Sequence, residues 1–117
     1  LQSIVIADEH YEEALGFVDF IKKHVFPGSF MPARTPIRAS ALRAGLREAD
    51  TLEIGPHYAT TLAEWRRRFL DRDAEVRAMG FGDEFLRMWT FNLSYCEAGF
   101  AERHLGDVQF LFVKDRP

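Results

Sequence analysis

The run VQFLFV at residues 108–113 has almost no polar alternation. A strand so rich in aromatic and β-branched residues has little room for a wet face, so it belongs in a sheet covered by other elements. Residues 1–6, LQSIVI, read in the same way, with Ile4, Val5 and Ile6 filling both faces. They form a strand with no preceding turn or cap, which implies a start inside a larger unit. Between these two runs the apolar residues recur mostly at helical spacing, interrupted by a weaker strand at 51–54.

The spacing of Tyr11, Ala14, Leu15, Val18 and Val25 predicts a helix over 11–25, which Phe26-Pro27-Gly28 stops. Thr35-Pro36 reads as a helix start with a capping hydroxyl, and Gly45 as its stop. After a break at Gly55-Pro56, the residues Tyr58, Thr61, Leu62, Trp65 and Phe69 share one face of a helix that continues through Val76 to Gly80. Asp83 is the expected cap of the next helix, whose face carries Phe85, Met88, Trp89, Leu93, Cys96 and Phe100. Strands alternating with helices predict an α/β sheet covered by helices, with the first and last strands as open edges. Those edges call for absent sequence or a second copy, so a homodimer through exposed strand edges is an expectation.

With 47% hydrophobic and 28% charged residues the chain has enough apolar surface to order itself. Fifteen Lys and Arg face eighteen Asp and Glu, and the Arg66-Arg67-Arg68 run has Glu64, Asp71 and Asp73 beside it, which argues against nucleic acid as a partner. One cysteine, Cys96, allows no intrachain disulfide and favours an intracellular setting. Every apolar run is too short to span a bilayer, which leaves peripheral lipid contact open.

His10, His24, His57 and His104 have no metal-ligand spacing with Cys96, so no metal site is expected. Cys96 shares a face with Trp89 and Leu93 and reads as core. Asp8-Glu9-His10 follows a strand and is either a functional loop or, more simply, a solvated helix start. Glu53 reads as an edge acid, and Glu97 as the acceptor of an internal hydrogen bond. The helix is expected to place the Tyr58 ring over Leu62 and Trp65, which makes it either a buried structural tyrosine or one whose hydroxyl enters a cavity. Leu15, Phe26, Phe30, Met31, Trp65 and Phe69 line either a hydrophobic substrate pocket or an ordinary core, and the sequence does not separate the two uses.

Five segments in this order, LQSIVI (1–6), FIKKHVFPGSFMP (20–32), EIGPHYATTLAEWRRRF (53–69), FLRMWTFNLSYCEAGF (85–100) and VQFLFVK (108–114), resemble the C-terminal region of the cyclopropane-fatty-acyl-phospholipid synthase and mycolic acid cyclopropane synthase family. The resemblance implies the distal part of a doubly wound methyltransferase sheet with substrate-covering helices, incomplete as an isolated domain, with residues 1–117 forming the C-terminal portion. It implies S-adenosylmethionine as methyl donor and bicarbonate as proton acceptor in a complete enzyme, an unsaturated phospholipid acyl chain as substrate, and a cytoplasmic location at the inner face of a membrane.

The resemblance also assigns Tyr58 to arranging the bicarbonate. The family's glycine-rich donor loop and its upstream cysteine, glutamate and histidine have no counterpart here, so no cofactor is expected on this chain alone and the isolated chain is expected to be inactive. Gly28-Ser29 replaces a common double glycine, and Asn92 stands where relatives commonly have an aromatic residue. The competing expectation is a noncatalytic lipid-binding or oligomerisation module derived from the same fold.

Overall fold

The computed structural model describes residues 1–114. Strand β1 (Gln2–Ile6) leads into one turn of 3-10 helix (Asp8–His10), a short helix α1 (Tyr11–Gly16) and a π-helical turn (Ile21–Val25). Helix α2 (Arg34–Arg43) and strand β2 (Arg47–Glu53) follow. Three helices, α3 (Gly55–Asp71), α4 (Asp73–Ala78) and α5 (Asp83–Ala101), then precede strand β3 (Leu105–Val113).

The sheet order is β1-β3-β2, with β3 antiparallel to both neighbours, so β1 and β2 run parallel to each other. This corrects the expectation of open first and last strands: the last strand is central, and the edges belong to β1 and β2. A covering segment already reaches one end of the β1 edge, where the Ile6 amide donates to the Pro32 carbonyl at 3.0 Å.

Alternation along β3 splits the interior. Val108 and Phe110 turn to the face shared with Val5 and covered by Ile37 of α2. Leu105 turns to the other face, where it meets Leu62 of α3 and Leu93 and Phe100 of α5. A Cβ on Gly99 would stand 2.8 Å from Leu105 Cδ1, so the Leu105 side chain seats directly against the bare glycine of α5. Away from that end the second face opens, with Ile4, Leu52 and Leu111 exposed beside Gln2 and Gln109. The two strands expected to be covered on both sides are therefore covered on both only at one end. Buried Asp107 accepts from the Gln2 amide at 2.9 Å through one oxygen; the other has no partner among the described residues. The radius of gyration of 17.3 Å exceeds the roughly 13 Å of a compact domain of this length, because the molecule is elongated, with extents of 58 × 28 × 26 Å.

Local differences from the sequence reading have local causes. The helix expected over 11–25 ends at Gly16, because Asp19 accepts the Lys22 amide at 2.8 Å and the Lys22 ammonium takes the Ala14 and Phe17 carbonyls. Helix α2 begins at Arg34, so Thr35 lies inside it, and its amide donates to Asp8 Oδ1 at 3.1 Å. Its stop is the expected one, with Gly45 at φ 73°. Strand β2 starts at Arg47, earlier than expected, and Gly55-Pro56 forms the first turn of α3. Gly82 occupies the cap position of α5, and Asp83 pairs with Arg77 at 2.6 Å instead of capping. On α5 the buried set includes Leu86 and Asn92, outside the expected face.

Candidate functional site

The site is built at the end of the molecule where β1 and β2 finish and α3 starts. Parallel strands ending together bring several loop and helix beginnings into one place, a location that favours ligand binding in open α/β sheets. Tyr58 stands in the first turn of α3, after Gly55 and Pro56. Its half-buried ring lies 5.2 Å from the Phe100 ring and packs on the cluster of Leu62, Leu93, Phe100 and Leu105. Among the described residues its hydroxyl has no hydrogen-bond partner. A hydroxyl carried on a packed ring and left free is able to donate to a ligand oxygen without first giving up a protein bond.

Beneath that turn Glu53 closes the corner. Its Oε1 accepts the Gly55 amide at 2.9 Å and the Asp107 amide at 3.2 Å, while Oε2 pairs with the Arg34 guanidinium. A Cβ on Gly55 would stand 2.7 Å from Glu53 Oε1 and 3.0 Å from the Asp107 nitrogen, so a larger residue there would displace the carboxylate and crowd the β3 backbone. A cavity of about 530 Å³ opens beside this corner, lined by Arg34, Glu53, Pro56, Phe100 and Arg103 among others. A second cavity, of about 400 Å³, is lined by Phe17, Met31, Tyr95 and Leu105 together with His10 and His104. The two imidazoles are 4.6 Å apart.

Across the second cavity the Tyr95 hydroxyl donates to Asp19 at 3.2 Å; burial, and then the Asp19 charge, hold that phenol above its ordinary range. Burial also pushes the Cys96 thiol up, with Asp19 adding to the effect, which keeps it protonated and fits its place in the core. Glu97 accepts both a 3.1 Å and a 2.9 Å bond from Arg66, the internal role expected of it.

The six residues named as pocket or core separate in the structure. Met31 and Phe69 pack on the same cluster as Tyr58. Leu15, Phe26, Phe30 and Trp65 are exposed, Phe30 with its ring edge against Tyr11 at 5.8 Å. Asp8-Glu9-His10 forms the 3-10 turn whose first carboxylate holds α2. The part played by Glu53 and Arg34 was missed; the signal was a carboxylate two residues before a helix-opening glycine, whose strand-end position alone suggested an edge acid. Among the described residues there is no group of three or more His, Cys, Asp or Glu placed to hold a metal ion.

The element order and sheet place the molecule among α/β methyltransferase folds: the mycolic acid cyclopropane synthase CmaA1, solved complexed with SAH and CTAB, superposes with a TM-score of 0.84 at 23% identity, over 96% of this chain and 42% of that one. More particularly, the sequence model of the mycolic acid cyclopropane synthetase family matches residues 1–110, and the chain belongs to that family. The tuberculostearic acid methyltransferase UfaA1 of Mycobacterium tuberculosis is 37% identical over 99 residues, 84% of this chain and 23% of that protein. The cyclopropane-fatty-acyl-phospholipid synthase of Escherichia coli is 32% identical over 95 residues, 81% of this chain and 24% of that protein. The chain thus spans about a quarter of the length of these two relatives.

Proposed function

We propose that residues 1–117 are the C-terminal portion of one S-adenosylmethionine-dependent methyltransferase domain that transfers a one-carbon unit to the double bond of an unsaturated phospholipid acyl chain and closes a cyclopropane ring. Membership of the family, established over residues 1–110, carries this reading. The SAH in the CmaA1 complex supports the donor, and the long-chain amphiphile CTAB there supports an elongated apolar substrate. The described residues do not fit the donor: Gly80-Phe81-Gly82 joins α4 to α5 instead of following a strand, so no donor contact is assigned to them.

Bicarbonate, when bound, supplies the base that accepts the proton released on ring closure. Tyr58 fits that group as a free hydroxyl donor on a packed ring. Its part is to orient an anion by one hydrogen bond, without forming a covalent link. The apolar groups around it, Met31, Leu62 and Phe100, restrict water, which strengthens such a bond where charge develops. The exposed apolar residues Leu15, Phe17, Phe26 and Phe30 favour contact with lipid, and no described helix is long and apolar enough to cross a membrane.

The test uses the full-length polypeptide that carries these residues, incubated with donor and an unsaturated phospholipid. A product heavier by one methylene that has lost its double bond supports ring closure, whereas a methylated product that keeps a double bond replaces cyclopropanation by methylation. Tyr58→Phe keeps the ring packing and removes the donor, so single-turnover product formation should fall by roughly five- to 150-fold, the equivalent of about 1 to 3 kcal/mol. An unchanged rate at both low and high bicarbonate, with donor saturating, rejects the role of Tyr58.

A further inference from the structure

The position of Tyr58 depends on what fixes the first turn of α3, and the amides at that turn have few ways to be satisfied. Pro56 offers no N–H, and the His57 amide goes to the Ile54 carbonyl at 3.1 Å. The Gly55 amide goes to Glu53, whose same oxygen also takes the Asp107 amide of β3. The second carboxylate oxygen meets Arg34 at the start of α2. One carboxylate therefore joins the end of β2 to the beginnings of two helices and to the central strand.

The corner has no slack. A Cβ at Gly55 would also stand 3.1 Å from Gly106 Cα, and one at Gly106 would stand 3.2 Å from Val5 Cγ2 and 3.4 Å from Glu53 Oε1. A negative group at the start of a 17-residue helix is held further by the helix dipole. Both oxygens are engaged, which suits a holding role and leaves Glu53 poorly placed as a base.

The geometry points to Glu53, steadied by Arg34, as a positioning residue for Tyr58: it pins the first turn of α3 to β3 and so sets where the tyrosine hydroxyl lies. The inference rests on the role proposed above for Tyr58. Without the carboxylate, the Gly55 and Asp107 amides lose their acceptor, the turn gains freedom, and the hydroxyl three residues on loses its fixed place. A displacement of about 1 Å at such a group is enough to slow a reaction by roughly a hundredfold.

The experiment combines Glu53→Ala, Glu53→Gln, Tyr58→Phe and the Glu53→Ala/Tyr58→Phe pair in the full-length polypeptide. It also places 3-fluorotyrosine at position 58 for fluorine NMR of the ligand-free protein. Glu53→Ala should slow single-turnover product formation at least about tenfold with the lipid KM within about twofold, and the Glu53→Ala/Tyr58→Phe pair should lie within about twofold of the slower single variant, because both changes remove one function. Glu53→Gln, whose amide oxygen still accepts both backbone bonds but whose N–H2 then faces the Arg34 guanidinium, should fall between the parent and Glu53→Ala. The fluorine resonance should be single and sharp in the parent, and broadened or split in Glu53→Ala.

A sharp, unmoved resonance in Glu53→Ala overturns the inference, as do losses that multiply in the double variant, a loss carried by KM, or Glu53→Gln as slow as Glu53→Ala. If Glu53→Ala does not fold, Glu53→Asp, too short to reach all three partners, takes its place under the same criteria. Failure of the Tyr58 reading is distinct: Tyr58→Phe then turns over normally, while the fluorine spectrum still reports whether Glu53 orders that ring.

Discussion

The turn of α3 around Tyr58 and the segment from the 3-10 turn to Phe30 contain similar proportions of apolar residues but use them differently. Around Tyr58 the apolar groups meet one another: Leu62, Leu93, Phe100 and Leu105 are buried, and polar groups at the margin are paired. In the other segment Leu15, Phe17, Val18, Phe20 and Phe26 face outward, and its helical pieces are short, with no buried residue in any of them. The contrast separates a part of the molecule that supplies its own packing from one whose apolar surface is available to something else. Hydrophobic composition alone does not distinguish them; burial does.

The sharpest way to break this comparison is to cut a hole on the packed side. Leu62→Ala should lower unfolding stability by about 2 to 5 kcal/mol, through lost transfer energy and the cavity left behind. A change near zero in thermal or urea unfolding would show that the cluster around Tyr58 is not self-supporting. Phe17→Ser on the exposed side should change stability by less than about 0.5 kcal/mol and, if the segment meets lipid, weaken sedimentation with phospholipid vesicles. A large destabilisation there would mean that the segment packs as tightly as the α3 turn.

The smallest effect concerns Glu48 on β2. Hydrogen bonds from Arg38 and then Thr51 lower its pKa to about 2. A carboxylate lowered on folding adds stability that is fully present above its unfolded value of about 4.3 and is lost as pH falls towards the folded value. The pair sits at the surface on an edge strand, where solvent screens it, so the effect on unfolding should be slight. Its titration by NMR should return towards the ordinary carboxylate range in Arg38→Met; an unshifted midpoint would mean that the pair does not persist in solution.

The sequence carried the packed side well and the open side poorly. Strand β3 was legible because its apolar density permits few other uses, and α3 because Tyr58, Leu62 and Phe69 keep helical spacing. The start of β2 was hidden because Arg47, Glu48 and Asp50 have little intrinsic strand preference; β3 supplies the ladder that draws them in, and charge suits an edge. The broken helix after Gly16 was hidden because its periodicity continues past the point where Asp19 and Lys22 capture backbone groups. Family resemblance singled out Tyr58, but nothing local to Glu53 revealed an acceptor for an amide 54 positions away.

The central place of β3 also governs the order in which the molecule can be made. A ribosome releases β1 and β2 before β3; within the described residues neither pairs with the other, and each meets β3 only when residues 105–113 emerge. Until then β1 and β2 lack the strand that joins them, and α3 and α5 lack Leu105, the strand residue of the cluster they share. Assembly of this sheet is therefore a late, concerted event, and the stretch of synthesis before it is when the chain is most exposed to chaperones and proteases.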